Sequence, residues 1–230
     1  GRLGMAEADA VMAVSNLTRN IVIQRYGIDE SKVFTVHNAV DFSGRKEVES
    51  DRTIKNKVVT FLGRITFQKG PEYFIEAANK VLKKMPNVHF VMAGSGDMMN
   101  RMVRRVGRLG IGSKFHFTGF LKGDEVNQMY ARSDVYVMPS VSEPFGISPL
   151  EAMRTGVPVI ISKQSGVAEV LKHAFKINFW DVDAMADAIY GLLAYPTLSN
   201  TLSKNGMKEV NSLSWEDTAR IVKSIYQRFA

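Results

Sequence analysis

From Lys57 onward, short apolar runs alternate with longer amphipathic ones, and this alternation constrains the fold more than any other feature of the chain. Strands are expected at 57–62, 88–93, 114–117, 134–138 and 157–161, with a weaker one near 174–178. Helices are expected between them, at 71–85, 97–109, 123–131, 149–155, 166–172 and 182–194. Strands that return only through helices run parallel, so the pattern predicts an α/β fold, a doubly wound parallel sheet with helices on both faces. The chain ends in two further helices, at about 197–210 and 215–229. Ser214 is placed to cap the second, with Glu216 and Asp217 in its first turn, where acids suit the positive end of the helix dipole.

The segment before Lys57 is organised differently. Residues 10–14 read as a strand, Ser15 caps a helix to about Tyr26, Gly27 ends it, and Val33-Phe34-Thr35-Val36 reads as a second strand. Residues 42–56 are polar and without period, as in a linker. A chain of 230 residues with 45% hydrophobic content can build one sizeable domain, or one domain and a piece of another. The absence of cysteine removes disulfides and thiolate metal sites. No apolar run approaches the about 18 residues of a membrane helix. With no leader-like start either, the expected location is cytoplasmic. A start at Gly1 rather than methionine is expected of a processed or truncated chain.

The net charge of +7 is concentrated: residues 51–110 carry 12 basic and 4 acidic groups, whereas the rest is close to balanced. Arg101, Arg104, Arg105 and Arg108 share one face of an expected helix. A solvated helix face accounts for them; an anionic substrate, an acidic membrane surface or nucleic acid are the alternatives. Nucleic acid ranks low because no nucleic-acid motif with interleaved aromatics accompanies the charge.

Glu143-Pro144-Phe145-Gly146-Ile147-Ser148-Pro149-Leu150-Glu151 follows the expected strand 134–138 and leads into a helix. It therefore places two carboxylates, a glycine turn and a helix start at the C-terminal edge of the sheet, where open α/β sheets bind ligands. Carboxylates there can accept hydrogen bonds from sugar or ribose hydroxyls, and free amides suit a phosphate. The simpler reading is a capping box, with Ser148 at the cap, Pro149 at the first helical position and Glu151 reaching back. A capped helix start is also a rigid mount for a binding carboxylate, so the two readings are compatible.

Gly63-Arg64-Ile65-Thr66-Phe67-Gln68-Lys69-Gly70-Pro71 joins the first regular strand to its helix. Arg64 and Lys69 would stand at the ligand edge, where two cations suit a diphosphate, unless they are only exposed loop charges. Ala93-Gly94-Ser95-Gly96-Asp97 reads as a tight turn with Asp97 as a helix cap, since the third glycine of a dinucleotide fingerprint is missing. Phe117-Thr118-Gly119-Phe120-Leu121 reads either as a plain glycine turn or as a place for a planar base. His37, His89, His116 and His173 lack metal-ligand spacing. His89 and His116 read as structural, while His37 could line a cleft. No nucleophile elbow is present. Trp215, Tyr226 and Phe229 fit the packing of a last helix into the core.

Taken together, these pieces resemble the C-terminal half of a retaining glycosyltransferase of the GT-B fold, family 4 and its glycogen synthase relatives. The resemblance runs over nearly the whole chain. It is strongest from Pro139-Ser140 through Glu143-Pro144-Phe145-Gly146 to Glu151-Ala152-Met153, then Gly156-Val157-Pro158-Val159-Ile160. Gly63-Arg64 with Lys69-Gly70 matches the family's phosphate loop. His37-Asn38-Ala39-Val40-Asp41 matches its asparagine-containing segment, with Ala39 where glycine is usual.

The resemblance implies a Rossmann-like domain over 57–212 that binds a nucleotide-diphosphate sugar (UDP-, ADP- or GDP-sugar) as donor and needs no cofactor or metal. It implies that Arg64 and Lys69 hold the diphosphate, Glu143 orients the donor sugar and Glu151 takes the ribose hydroxyls. Backbone amides after Phe145 and Gly146, up to Ile147, face the sugar or phosphate. The turn at Gly63 approaches the phosphates, and the base rests near Gly119, Phe120 and Leu121. Retaining members use a front-face route with an oxocarbenium-like transition state. On the same basis, 1–42 is the tail of an N-terminal domain with its crossover, 43–56 a linker, and 213–230 a helix packing back toward that domain. The glycine-rich loop and histidine of the N-terminal domain are missing from the chain. The expectation is thus a fragment, inactive alone, whose acceptor glycan is reached through the other domain. Self-association through an exposed apolar patch and peripheral membrane contact are the further partners implied. Two alternatives stay open: a sugar-nucleotide epimerase of the same fold, and a non-catalytic anion-binding module.

Overall fold

The structure, a computed structural model, describes residues 1–40 and 56–229. The expected linker at 43–56 lies, apart from Asn56, outside the described residues, as does Asp41 of the asparagine segment.

The chain opens with a short helix, α1 (Arg2–Glu7). The sequence pattern does not predict it because none of its residues is buried, so no apolar stripe marks it. β1 (Val11–Ala13) and β2 (Val33–Thr35) pair in parallel, with Val11 opposite Val33. The helix between them, α2 (Asn16–Tyr26), has the expected ends: the Ser15 side chain accepts from the Thr18 amide, and Gly27 closes it at φ 65°. Ala13, Val22, Ile28 and Val33 form a small core of their own.

The main sheet is built from β3 (Val58–Leu62), β4 (His89–Ala93), β5 (Phe115–Gly119), β6 (Val135–Met138), β7 (Val159–Ser162) and β8 (Phe175–Ile177). Its six parallel strands run in the order β5-β4-β3-β6-β7-β8. The central strands β6 and β7 are buried along their whole length, as expected where helices cover both faces. Alternate residues serve opposite layers: Val135 and Val137 point to one core, Tyr136 and Met138 to the other.

On the first face pack α3 (Pro71–Lys84), α4 (Met99–Arg108) and α8 (Val182–Ala194), which bury Phe74, Ile75, Met102 and Ile189. On the second pack α5 (Asp124–Ala131), α6 (Ser148–Arg154), α7 (Val167–Val170) and α9 (Pro196–Asn211), around Tyr130, Leu150, Met153 and Val210. The last helix, α10 (Trp215–Tyr226), is capped by Ser214 as expected. Its aromatic residues correct the sequence reading: Trp215, Tyr226 and Phe229 are exposed, and Ile225 is the residue of that helix that is buried. Among the described residues, no helix is long and apolar enough to cross a membrane.

Candidate functional site

β3 hydrogen-bonds to β4 on one side and β6 on the other, so the strand order reverses there. The loops leaving β3 and β6 must diverge, and they open a crevice at the C-terminal edge of the sheet. Both loops carry the residues singled out by sequence, which is why the fold brings them together.

The loop after β3 is held by its own turn, where the Lys69 amide donates to Thr66 O and the Gly70 amide to Phe67 O, both at 3.1 Å, and by its neighbours. Gly94 has φ 137°, and a Cβ on it would lie 1.9 Å from the Gly63 carbonyl oxygen, so only glycine allows this approach. The Ile65 amide donates to Ser95 O at 2.9 Å, and the Met98 amide to Ile65 O at 3.0 Å. The Gly94–Gly96 turn is therefore a wall of the site. Asp97 does not cap the helix as expected: α4 starts at Met99, and its cap position, Met98, makes no side-chain bond. At the far end of the loop Gly70 has φ 66°, and a Cβ there would meet Pro139 O at 2.1 Å. The Val141 amide donates to Gln68 O at 2.9 Å, which fastens the two loops to each other.

In the loop after β6, Glu143 is clamped through its backbone by the loop that follows β7. The Glu143 amide donates to Gln164 O at 3.1 Å, and the Gly166 amide donates to Glu143 O at 3.0 Å. Glu143 is buried, and its side chain forms an ion pair with Lys69. Each charge offsets the other's loss of water.

The expected capping box at 148–151 is not formed. Ser148 lies inside α6, the cap position is Ile147, and no side chain caps the helix. Ile147 is itself in the helical region, and the Ser148 hydroxyl instead accepts from the fully buried Tyr136 phenol at 2.8 Å. Burial, together with the nearby Glu143 and Glu151 charges, pushes the Tyr136 phenol well above its ordinary value despite its hydrogen bond to Ser148. Tyr136 is thus a neutral buried phenol close enough to feel both carboxylates.

At this edge of the sheet is a cleft of about 820 Å³. Gly63, Arg64, Phe120, Leu121 and Glu151, all singled out in the sequence, line it. Arg64 is exposed and forms no ion pair among the described residues, and the Phe120 ring is 67% exposed. Gly119, at φ 74°, ends β5 beneath them, and its carbonyl accepts from the Gly94 amide at 2.7 Å. Lys69 and Glu143 stand beside the cleft; the Lys69 side chain passes 3.9 Å from where a Gly63 Cβ would be. The Phe145 ring is buried in the core, so that residue can offer a ligand only its backbone. Gly146 lies against Glu143, and the Ile147 side chain is 44% exposed.

Sequence reasoning missed Gly94 and Ser95, and also Asp124 and Asn127 from the start of α5, all of which line the cleft. The glycines of 94–96 were a signal, read only as a turn. Asp124 and Asn127 carry none, because polar residues at an exposed helix start look ordinary. Among the described residues, no cluster of three His, Asp or Glu side chains is arranged to hold a metal ion. Three of the histidines pair locally. His89 and His116 share a hydrogen bond of 2.9 Å across adjacent strands, with His89 pushed down by burial, and His173 lies 3.0 Å from Glu209. His37 reaches Glu169 at 2.8 Å.

A family model described as glycosyl transferases group 1 matches residues 45–209. An uncharacterised glycosyltransferase of Methanocaldococcus jannaschii is 32% identical over 98% of the chain, which spans 61% of that relative. Two solved structures superpose closely. Sucrose-phosphate synthase from Thermosynechococcus elongatus has a TM-score of 0.82 at 24% identity, over 99% of this chain and 60% of that one. HepE from Anabaena, in complex with UDP-glucose, has a TM-score of 0.82 at 20% identity, over 94% of this chain and 64% of that one. The chain therefore spans less than two thirds of the length of each of these proteins.

Proposed function

The chain belongs to the group 1 glycosyl transferases, with the Rossmann-like architecture of the GT-B fold, and from that premise we propose that it is the donor-binding part of a retaining hexosyltransferase. It transfers a hexose from a nucleotide-diphosphate sugar to an acceptor glycan or small molecule. The observation that carries this reading is the convergence of Arg64 and Glu151 on one cleft at the switch point of the sheet, with the Lys69–Glu143 pair beside it. The UDP-glucose bound by a protein of the same fold supports a nucleotide-sugar donor.

In this reading Arg64 and Lys69 grip the diphosphate, Glu151 accepts from the ribose hydroxyls, and Glu143 orients the donor sugar. The exposed Phe120 ring gives the base a surface to stack on, and the backbone from Phe145 to Ile147 faces the sugar. In the front-face reaction the bond from the anomeric carbon to the diphosphate breaks, and its electron pair leaves with the diphosphate. The acceptor oxygen bonds to the same face, and its proton passes to a diphosphate oxygen. Negative charge grows on the leaving group, so Arg64 and Lys69 act most strongly in the transition state.

Residues 57–212 are the donor domain, 1–42 the tail of an N-terminal domain and 213–230 a helix that returns toward it. The separate small core of the first segment and the exposed aromatics of α10 support that division. Acceptor determinants belong to the part of the relatives that this chain does not span, so turnover by these residues alone is slow. The test is calorimetry with UDP, ADP and GDP on the wild type, Arg64→Ala, Lys69→Ala and Glu151→Ala. One nucleotide should bind, and each variant should weaken it. No binding at about millimolar nucleotide, where even a weak site should show, or variants that match the wild type, overturns the assignment.

A further inference from the structure

Glu169 lies on α7, outside the cleft, yet it joins three parts of the molecule. Its carboxylate accepts the Asn16 and Leu17 amides at 2.8 Å each, at the start of α2. It also accepts from the His37 ring at 2.8 Å. These bonds hold its carboxyl below the ordinary glutamate range, outweighing the burial that works to raise it. A second fastening runs alongside. The Ser15 hydroxyl, fully buried, donates to Pro144 O at 2.6 Å. A Cβ on Gly166 would lie 2.2 Å from that oxygen and 2.5 Å from the Ser15 Cβ, so the turn before α2 is pressed into the seam between Pro144 and Gly166. The same seam carries the donor loop. Gly166 and Val167 donate to the carbonyls of Glu143 and Phe145 at 3.0 and 2.7 Å.

We propose that Glu169 is a positioning residue that clips α2 and His37 to the donor loop, so that residues 11–37 and the loop bearing Glu143 shift as one body. The proposal rests on the donor-binding reading of that loop. Its consequence is coupling: a ligand that orders the loop also tightens α2, and breaking the clip weakens the ligand. A carboxylate that only capped a helix would give stability without that link.

The test combines hydrogen exchange at 11–26 and 139–147 with calorimetric titration by UDP, ADP and GDP. It compares the wild type, Glu169→Gln and the gentler Ser15→Ala, which breaks the parallel fastening and serves if Glu169→Gln does not fold. In the wild type, the nucleotide that binds should slow exchange in both segments. In Glu169→Gln, the protection of 11–26 should no longer respond to nucleotide, and affinity should fall about five- to tenfold. A variant that frees 11–26 while affinity and exchange at 139–147 stay unchanged overturns the proposal. If no nucleotide binds the wild type, the donor reading fails separately. The clip is then decided by exchange without nucleotide: faster exchange at 139–147 in either variant supports it, and unchanged exchange there overturns it.

Discussion

Two stretches of the basic segment spend the same charge in different ways. Helix α4 carries Arg101, Arg104, Arg105 and Arg108 on a convex surface, where Arg101 pairs with Glu72 and Arg105 with Glu76, both at 2.6 Å. The loop after β3 carries Arg64 at the mouth of a cleft and Lys69 against the buried Glu143. The helix has more cations, yet water and the acids of neighbouring α3 screen them. In the loop Arg64 opens onto a concave site with Lys69 beside it, where the effective dielectric is lower and, on the donor-binding proposal, an anion would meet both. Local charge density is therefore a poor guide to function; what decides is whether the charges face one volume.

The sharpest way to break this comparison is to remove one arginine from each stretch. On the donor-binding proposal, Arg64→Ala should cost about 3–4 kcal/mol of transition-state stabilisation, roughly a hundred- to thousandfold in turnover. Arg108→Ala should leave turnover and nucleotide affinity unchanged, and equal losses from both would erase the distinction. Next in size is Phe120→Ala. Loss of a stacking surface should weaken nucleotide binding by about 1–3 kcal/mol, read by calorimetry. Gly94→Ala acts on the wall that shapes the loop. Its strained φ should lower stability by about 1–3 kcal/mol in thermal melts, with a loss of nucleotide affinity that Gly107→Ala, on the exposed face of α4, does not share. Smallest is Glu76→Gln, which removes the partner of Arg105; an exposed pair of this kind should change stability by less than about 1 kcal/mol.

A pH titration separates a third kind of charge. The Glu169 carboxyl is depressed in the folded chain, so its contribution is fully present above the ordinary glutamate value and is lost as pH falls through the folded one. Melting temperature should fall more steeply with acid in the wild type than in Glu169→Gln; parallel curves would show that the clip contributes nothing.

Much of this molecule was legible in the sequence because its information is local. The period of apolar residues marked the strands of the main sheet, and Ser15, Gly27 and Ser214 marked helix ends that the structure reproduces. Arg64 and Glu151 were legible as a pair because each follows a strand, and strand ends in a parallel sheet share one edge. The failures are equally specific. Ser148 looked like a cap, but a buried phenol twelve residues earlier in the chain took its hydroxyl. Trp215 and Tyr226 looked like core because aromatic residues usually are, but apolar character does not say which surface is covered.

By itself the sequence determined the alternation of elements, the parallel sheet and the loops that end at its C-terminal edge, because backbone periodicity and turn chemistry act over a few residues. Only the tertiary structure decided that Lys69 would meet Glu143, that Gly94 would back the Gly63 turn and that Glu169 would reach α2. Those contacts join residues far apart in the chain, and their existence depends on the strand order and on the ångström-scale approach of backbones that no local pattern encodes.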